Sequence, residues 1–283
     1  MLKVLIIGCG DLGGEVASQL VGLGMKVAGV RRSNHATEGV KLICADVTQA
    51  ESLEVLVPLQ PQILIYCVAA NGQTDAQYKA HYVDGLRNVL ATQVDNKKLK
   101  HVFFVSSTRV YGQNTEAVLD ENMPAIPADF GGERLLEAEH LLNGLSCNST
   151  ILRLSGIYGP GRLRMINLAK SPEKWPVQNS WSNRIHRDDA AAFMVFLVQQ
   201  VLADRPILDC YIVTDSKPAT QFEVLNWIAQ NLQPRISITR QAKINGGKRL
   251  SNQTMLRTGF ILQYPDYQIG YQALLSSIDN QPV

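Results

Sequence analysis

The sequence predicts a doubly wound α/β fold, in which helices cover both faces of a parallel sheet. Two observations predict it. Short β-branched runs alternate with segments of helical apolar spacing as far as about residue 158, and this alternation is typical of a parallel sheet covered on both faces. In addition, a glycine-rich turn joins the first apolar run to the first helical segment, which is the place where such folds bind phosphate groups.

The first part of the chain supplies the predicted sheet and its helices. Six apolar runs are predicted as strands, at Lys3–Ile7, Lys26–Val30, Val40–Cys44, Ile63–Val68, His101–Val105 and Thr150–Leu154. Three segments with apolar residues at helical spacing lie among them, at Asp11–Leu23, Gln73–Val94 and Glu133–Leu142. The first of these stops at Gly24, a residue type that commonly ends helices.

After Tyr158 the alternation of strands and helices breaks down. Loops rich in glycine and proline are followed by four further elements, at Ala190–Leu202, Cys210–Val213, Phe222–Leu232 and Tyr264–Ser277. We expect these segments to be too few for a core of their own. The predicted division is therefore a sheet domain at 1–158 and a small lobe at 159–283, with some segments returning to the sheet.

Composition limits the classes of partner. Lys and Arg number 27 against 25 Asp and Glu, a formal net charge of +2, and without a dense basic run this predicts no nucleic-acid partner. The longest apolar stretch, Ala190–Val198, is too short to cross a bilayer, so no membrane partner is predicted. The histidines lack metal-ligand spacing, so no metal is predicted.

The cysteines and the N-terminus indicate the compartment. Five cysteines are scattered without a CxxC motif, which suits a reducing environment. Met1 is followed almost at once by the first predicted strand, and no signal peptide can be separated. We therefore expect a cytoplasmic protein.

The turn after the first strand has the spacing GxGxxG, formed by Gly8, Gly10 and Gly13. The first glycine permits a tight turn, the second allows a pyrophosphate to approach the backbone, and the third lets helix and strand pack closely. Asp11 and Leu12 then open a helix whose N-terminal N–H groups attract phosphate. The motif predicts a dinucleotide site in a Rossmann fold, with an empty glycine turn as the alternative.

Two arginines at the end of the second strand indicate which dinucleotide is bound. NAD sites usually carry Asp or Glu near this position to bind the ribose 2′-hydroxyl, but this chain has Arg31 and Arg32. Forked guanidinium donors suit a 2′-phosphate. We therefore predict NADP as the cofactor, with NAD possible, and a solvated arginine pair as the alternative.

Five strings, in the same order as in the family, resemble the extended short-chain dehydrogenase/reductases of the NAD-dependent epimerase/dehydratase type. They are GCGDLGG at 8–14, CADV at 44–47, VSSTRVYG at 105–112, LRLSGIYGPGR at 152–162 and RIHRDDAA at 184–191. The resemblance implies cofactor contacts from Asp46, Val47, Val68, Ala69, Ala70, Ser155 and Ile157. It also implies that Ser107 is the catalytic Ser/Thr, with Thr108 beside it on the substrate side.

The chain departs from this family at the catalytic tyrosine and lysine. The family's Tyr-x-x-x-Lys corresponds to Phe130 and Arg134. Phe130 has no proton to transfer, and Arg134 keeps a positive charge that could reach the cofactor ribose but is not equivalent to lysine. The family's helix asparagine corresponds to Tyr82. The resemblance is therefore to an atypical branch, in which the cofactor site is kept and the catalytic set is altered.

The replacement for the missing tyrosine is left open by the sequence. Candidate proton donors are Tyr111, Tyr82, Glu133, Asp84 or a water ordered by Ser107, and each of these side chains also has a structural interpretation.

Three further side chains are candidates for substrate contact. Arg184 and His186 lie in the string that borders the family's substrate cleft, although a helix-entry role explains that segment equally well. Arg249, in a Gly-Gly-Lys-Arg loop, could bind an anionic nucleotide sugar, with a plain surface loop as the alternative.

Two functions remain in view. The first is an NAD(P)-dependent epimerase, dehydratase or reductase acting on a nucleotide sugar or related carbonyl compound, as a monomer or homodimer with a small-molecule substrate. The second is a catalytically silent NADP(H)-binding sensor or scaffold. Because function resides in the site and not in the fold, fold alone does not choose between them.

Overall fold

The computed structural model describes residues 2–33, 37–232 and 240–279. Its strands are β1 (Val4–Ile7), β2 (Val27–Arg31), β3 (Lys41–Cys44), β4 (Ile63–Tyr66), β5 (His101–Ser107), β6 (Val118–Leu119), β7 (Asn148–Leu154), β8 (Gly156–Tyr158), β9 (Asn179–Ser182), β10 (Arg184–His186), β11 (Cys210–Val213), β12 (Ala219–Thr220), β13 (Ile244–Gly247) and β14 (Arg249–Leu250).

The α-helices are α1 (Asp11–Gly22), α2 (Asp75–Tyr78), α3 (Gly85–Ala91), α4 (Phe130–Leu141), α5 (Arg164–Ala169), α6 (Arg187–Leu202), α7 (Gln221–Leu232), α8 (Gln253–Arg257) and α9 (Tyr267–Asp279). A π-helical stretch, Lys79–Asp84, joins α2 to α3. Segments of 3₁₀ helix lie at Ala50–Leu59, Thr108–Val110, Leu142–Gly144 and Pro172–Lys174. Within the described ranges, no helix combines the length and the apolar character needed to cross a bilayer.

Seven strands form one sheet in the order β11-β7-β5-β4-β1-β2-β3. The pairs β1–β2, β1–β4, β2–β3 and β4–β5 are parallel. The strand order reverses beside β1, because β2 lies on one side of it and β4 on the other. Such a switch point is where open α/β sheets bind ligands. The predicted doubly wound Rossmann-type sheet is confirmed.

The chain forms two compact units. Unit 1 contains Met1–Gly112, Pro124–Arg153 and Ala191–Tyr211, and unit 2 contains Gln113–Met123, Leu154–Ala190 and Ile212–Val283. In unit 1, all four residues of β1 and all four of β4 are fully buried, as expected for strands covered on both faces.

Unit 2 has an apolar core of its own. This cluster includes Tyr158, Ile166, Trp175, Leu225 and Tyr271, each at most 4% exposed. The expectation that the later segments are too few for a core is therefore wrong. Sequence reasoning missed short elements such as β8, β9 and β10, because strands of three or four residues carry almost no periodic signal.

The helix predicted at Gln73–Val94 is present with different bounds. It begins at Asp75, where the Thr74 side chain accepts a hydrogen bond from the N–H of Gln77 at 3.3 Å, and its last segment ends at Ala91.

The 3₁₀ segment Ala50–Leu59 was not predicted. It contains Pro58. Because proline cannot donate a backbone hydrogen bond, its presence argues against a helix at the level of sequence.

Candidate functional site

The glycine turn of unit 1 has the conformation that its motif requires. Gly8 has a φ of +88°, and a Cβ there would lie 2.4 Å from the carbonyl oxygen of Cys67. A Cβ on Gly13 would lie 2.3 Å from the carbonyl oxygen of Gly8. Both positions therefore exclude any side chain, because the turn and the start of α1 are packed directly against backbone.

The second glycine faces open space. A Cβ on Gly10 would meet no heavy atom within 4 Å, so the backbone there is accessible to a ligand. Gly10 is also the N-cap of α1 and provides no capping side chain, which leaves first-turn N–H groups such as that of Leu12 without a cap. A bare helix N-terminus beside an open glycine fits a pyrophosphate.

Asp11 and Leu12 differ in their placement. Asp11 is the exposed first residue of α1, while Leu12 is buried and packs its side chain inward. Their predicted contacts with the cofactor can therefore come only from the backbone for Leu12, and from backbone or side chain for Asp11. Both assignments remain predictions.

Arg31 and Arg32 lie at the end of β2, next to this turn. Burial raises the pKa of the Cys9 thiol, and the nearby positive charge of Arg31 opposes this rise. Arg32 is exposed and donates from Nη2 to Asn71 Oδ1 at 2.6 Å. Asn71 lies in the loop after β4 and was not singled out by the sequence.

Asp46 and Val47 follow β3 on the same side of the unit. Asp46 Oδ1 accepts hydrogen bonds from the N–H of Thr48 at 2.9 Å and from its hydroxyl at 2.8 Å. Burial opposes ionisation, but these bonds and the charges of Arg32 and His81 bring the pKa of Asp46 below its usual value. Val47 is buried, 6% exposed. Asp46 is thus held as a carboxylate near Arg32.

Val68, Ala69 and Ala70 follow β4 directly. The N–H of Cys67 donates to the carbonyl oxygen of Ile7 at 2.7 Å, so this loop leaves the sheet beside the glycine turn. Ala69 is exposed and its two neighbours are half-buried. Unit 1 therefore brings together the predicted contacts after β1, β2 and β4 at one edge of the sheet.

Phe130, which the resemblance aligns with the family's tyrosine, lies in an aromatic cluster. Phe130 is the first residue of α4, whose N-cap Asp129 accepts from the N–H of Gly132 at 2.9 Å. The Phe130 ring meets Tyr78 edge-on, with centroids 5.5 Å apart, and Tyr78 lies 5.2 Å from Tyr82. A phenol is absent at position 130, but two tyrosines lie beyond its ring.

Arg109 is the side chain of this cluster that sequence reasoning missed. Its Nη1 donates to Tyr78 Oη at 2.7 Å and its Nε to Asp129 at 2.8 Å. A Cβ on Gly131 would lie 2.4 Å from Arg109 Cζ, so Gly131 leaves the space for the guanidinium. The glycine pair in Phe-Gly-Gly was the signal that a side chain approaches α4 closely.

Arg134 is held by two carboxylates. Its Nε and Nη2 donate to Asp75 at 2.7 and 3.0 Å, and its Nη1 donates to Glu137 at 2.7 Å. These hydrogen bonds, with Asp75 the larger contributor, raise the pKa of Arg134 and lower that of Asp75. Like a lysine, Arg134 carries a positive charge, but its guanidinium hydrogen-bonds two acidic side chains of unit 1.

Ser107 is the last residue of β5 and is half-buried. Its Oγ accepts from the N–H of Arg109 at 3.1 Å, which fixes the hydroxyl oxygen at the start of the next turn. Thr108 is 7% exposed and follows it directly. The predicted catalytic role of Ser107 and substrate contact of Thr108 stay predictions.

The four candidate proton donors have different surroundings. Tyr82 hydrogen-bonds with the backbone of Ala70, in the loop predicted to line the cofactor, and burial raises the pKa of Tyr82 to about 12. Tyr111 is fully buried and its Oη accepts from Arg153 at 2.6 Å. Asp84 pairs with two cations, and Glu133 lies exposed in the first turn of α4.

Within unit 2, β8 pairs with β10; these strands carry Ile157, Arg184 and His186, and Ser155 directly precedes β8. Ser155 is buried with its Oγ 3.3 Å from the carbonyl oxygen of Val213, while Ile157 is paired with Ile185. Arg184 is 5% exposed, and its Nη2 donates to Ser182 Oγ at 2.6 Å. These contacts satisfy internal groups of unit 2.

His186 is almost completely buried, at 1% exposed. Its ring lies 3.8 Å from the Tyr264 ring, centroid to centroid, and its Nδ1 accepts from the N–H of Asp188 at 3.2 Å. Burial lowers its pKa, although Asp188 opposes this. Nδ1 thus acts as an acceptor at the entry to α6, and the predicted substrate contact stays a prediction.

Arg249 lines a cavity of about 510 Å³ in unit 2. Its Cζ lies 5.3 Å from the Trp181 ring centroid, and its Nη2 donates to the carbonyl oxygen of Glu116. The lining consists of the loop at 114–116 and residues of β9, β13 and β14, namely Asn114, Thr115, Glu116, Trp181, Ile244, Gly246, Gly247 and Arg249. The Gly-Gly-Lys-Arg string, expected as a loop, thus contains the end of β13 and the start of β14. A cation stacked on an indole in such a cavity suits a planar anionic ligand.

Among the residues that the structure describes, no three His, Cys, Asp or Glu side chains cluster in a way that could hold a metal ion.

The sheet and the glycine turn are those of an extended short-chain dehydrogenase/reductase fold, as the resemblance implied. Residues 2–268 match the family described as the RmlD substrate binding domain, and the chain belongs to this family.

Individual relatives agree with this assignment. A structure from Methylobacillus flagellatus, assigned by its name to the NAD-dependent epimerase/dehydratases, is 48% identical, covers 99% of both chains and has a TM-score of 0.89. Protein YeeZ of Escherichia coli K12 is 26% identical over 281 residues, 94% of this chain and 97% of YeeZ. Bordetella bronchiseptica WbmG, solved with NAD and UDP, shares the fold at 18% identity, with 98% and 95% coverage and a TM-score of 0.82.

Proposed function

We propose that the chain binds NADP(H) at the glycine turn and acts as an epimerase/dehydratase-like oxidoreductase on a nucleotide sugar or related carbonyl compound. One observation carries the proposal: Gly10 faces open space at the uncapped start of α1, next to Arg31 and Arg32. WbmG, which has the same fold, was solved with NAD and UDP, and this supports a dinucleotide site and a nucleotide-type substrate. The cytoplasm is the proposed location, and the active form is a monomer or homodimer.

The choice of NADP over NAD rests on charge. The two arginines stand where an NAD site would place a carboxylate, and their donors suit a 2′-phosphate. Replacing Arg31 and Arg32 together by Ala should weaken NADPH binding much more than NADH binding, because only NADPH carries the 2′-phosphate. Calorimetric titration measures both, and equal losses for the two cofactors would overturn the assignment.

We assign dinucleotide binding to residues 1–158 and substrate binding mainly to 159–283. On the substrate side, Arg249 beside Trp181 supplies a cation and an aromatic face, the combination that holds a nucleotide phosphate and its base. Ser155 and Ile157 are assigned to the nicotinamide end of the cofactor, and Arg184 and His186 to the substrate.

The chemistry would divide between cofactor and protein. Bound NADP(H) supplies the hydride chemistry. Ser107 would hydrogen-bond the substrate oxygen from the end of β5. A proton must also reach or leave that oxygen, and Tyr82 is the best placed of the candidate donors, because its hydroxyl lies against the Ala70 backbone in the predicted cofactor loop.

A second function, a silent NADP(H)-binding sensor or scaffold, is favoured by two specific observations. Phe130 has no hydroxyl, and Arg134 is engaged by Asp75 and Glu137. A protein with this arrangement could hold the cofactor without turning over any substrate.

Turnover separates the two functions. Purified protein is titrated with NADPH and then assayed with UDP-, GDP- and dTDP-sugars and with simple ketones. The enzyme proposal expects turnover of at least one class, lowered at least about tenfold by Ser107→Ala. Binding without turnover of any substrate favours the sensor, and turnover that is unchanged in Ser107→Ala contradicts the role of Ser107.

A further inference from the structure

Arg32 reaches across the edge of the sheet to a neutral partner. It lies just after β2, Asn71 lies in the loop after β4, and β1 is between these two strands in the sheet. The 2.6 Å hydrogen bond from Arg32 Nη2 to Asn71 Oδ1 therefore spans the carboxyl end of β1, where the glycine turn begins. We call this contact the Arg32–Asn71 bridge.

The neutrality of Asn71 distinguishes Arg32 from Arg109 and Arg134. Arg109 is paired with Asp129, and Arg134 with Asp75. An amide oxygen, in contrast, orients a guanidinium without cancelling its charge. Burial raises the pKa of Asp46, but the Thr48 hydrogen bonds and then the charge of Arg32 bring it below its usual value.

We propose that Asn71 is a positioning residue that holds Arg32 ready for the 2′-phosphate of NADP, and so contributes to the choice between the two dinucleotides. The bridge occupies one N–H of the guanidinium, and the remaining donors of its fork stay available for phosphate oxygens. Preorganisation of this kind raises affinity because the arginine side chain, which is exposed and long, loses less freedom on binding. The inference rests on the proposed NADP(H) binding.

The test measures binding alone and needs no substrate. Dissociation constants for NADPH, NADH, adenosine 2′,5′-bisphosphate and AMP are measured by calorimetry for wild type, Asn71→Ala, Arg32→Ala and the double variant. Asn143→Ala is the control, because Asn143 is an exposed asparagine in the turn after α4.

We expect Asn71→Ala to weaken NADPH and adenosine 2′,5′-bisphosphate by about fivefold to tenfold, the effect of one hydrogen bond, while NADH and AMP stay within about twofold. In the Arg32→Ala background, Asn71→Ala should add nothing. Asn71→Asp should weaken NADPH further than Asn71→Ala does, because its carboxylate pairs with Arg32 and repels the phosphate.

The inference alone would be overturned by equal losses for NADPH and NADH in Asn71→Ala, or by no loss for either while wild type still prefers NADPH. The same loss from Asn71→Ala with and without Arg32 would also overturn it. If wild type prefers NADH or binds neither dinucleotide, the proposed NADP(H) binding fails and the inference fails with it.

Discussion

At the scale of single residues, we propose that Phe130 takes the place of the family's tyrosine, so that the site lacks one hydroxyl while its surroundings are ordered. Tyr78 and Arg109 contact that ring, Tyr82 packs against Tyr78, and Asp129 caps the helix. A family-type pair could therefore be restored without rebuilding α4.

Restoring the pair tests whether its loss limits the chemistry. Phe130→Tyr with Arg134→Lys should raise turnover by about 10²-fold or more in a weakly active protein, or create turnover in an inert one, because a positioned acid/base contributes on this order. Phe130→Tyr alone should give less, since Arg134 stays turned towards Asp75 and Glu137. Steady-state assays on the sugar-nucleotide panel measure the effect. If the double variant binds NADPH normally but shows no gain in turnover, the absence of the Tyr–Lys pair does not limit the reaction.

A buried ion pair gives a residue-scale prediction for stability. Glu139 accepts from Arg153 at 2.6 and 3.1 Å and from Ser106 at 2.6 Å, and its side chain is 2% exposed. Glu139→Ala strands the Arg153 cation in the interior, which should lower the free energy of unfolding by about 3–5 kcal/mol. Glu137→Ala is the control, because its side chain is 39% exposed. Urea denaturation measures both variants, and a loss below about 1 kcal/mol for Glu139→Ala contradicts the prediction.

At the scale of elements, the position of α1 is fixed by close packing of its first turn against β1 and the glycine turn. Gly13 and Gly14 are adjacent in the same helix, but only a Cβ on Gly13 would collide with backbone, at the Gly8 carbonyl. A Cβ on Gly14 would meet no heavy atom within 4 Å. The two positions therefore form a matched pair.

Gly13→Ala should displace α1 from the turn, lowering stability by about 1–3 kcal/mol and NADPH affinity by at least about tenfold. Gly14→Ala should leave NADPH binding intact and raise stability by up to about 1 kcal/mol, because alanine favours helix over glycine. Thermal denaturation and calorimetric titration measure the pair. Similar behaviour of the two variants would contradict the packing account.

Element-scale prediction from sequence succeeds where the apolar signal is long or the motif is specific. The strands around Gly8 are predictable because fully buried runs such as Val4–Ile7 are uniformly apolar, and the GxGxxG spacing specifies a tight turn and a helix after the first of them. The glycine pair at 131–132 indicates that α4 is closely approached, but not that Arg109 is the side chain that does so. The contact of Asn71 with Arg32 carries no such signal, because it joins residues distant in sequence. Likewise, nothing in the string Phe-Gly-Gly-Glu-Arg predicts that Arg134 pairs with Asp75, 59 positions earlier.

At the scale of the molecule, buried ionisable groups make stability depend on pH. Asp215 in unit 2 is 1% exposed, and among the described residues its Oδ2 has no hydrogen-bond partner. Burial raises its pKa to about 7, although Arg184 opposes the shift. The folded chain thus keeps a proton on Asp215 that the unfolded chain releases at lower pH.

The sign of the effect is set by this difference. The stabilisation is complete below the unfolded pKa of about 4 and is lost as pH rises through about 7. Between about pH 5 and 8, Asp215 should therefore lower the free energy of unfolding by about 1–3 kcal/mol. Asp215→Asn should remove that part of the pH dependence. Urea denaturation of both proteins at the two pH values measures it, and equal falls for wild type and variant would contradict the prediction.

The most direct measurement is a crystal structure of the chain with NADPH. We expect the pyrophosphate at the N–H groups that open α1 beside Gly10, the 2′-phosphate at Arg32, and the Phe130 ring where related enzymes carry a phenol. A dinucleotide bound elsewhere, or a 2′-phosphate remote from both arginines, would contradict the account.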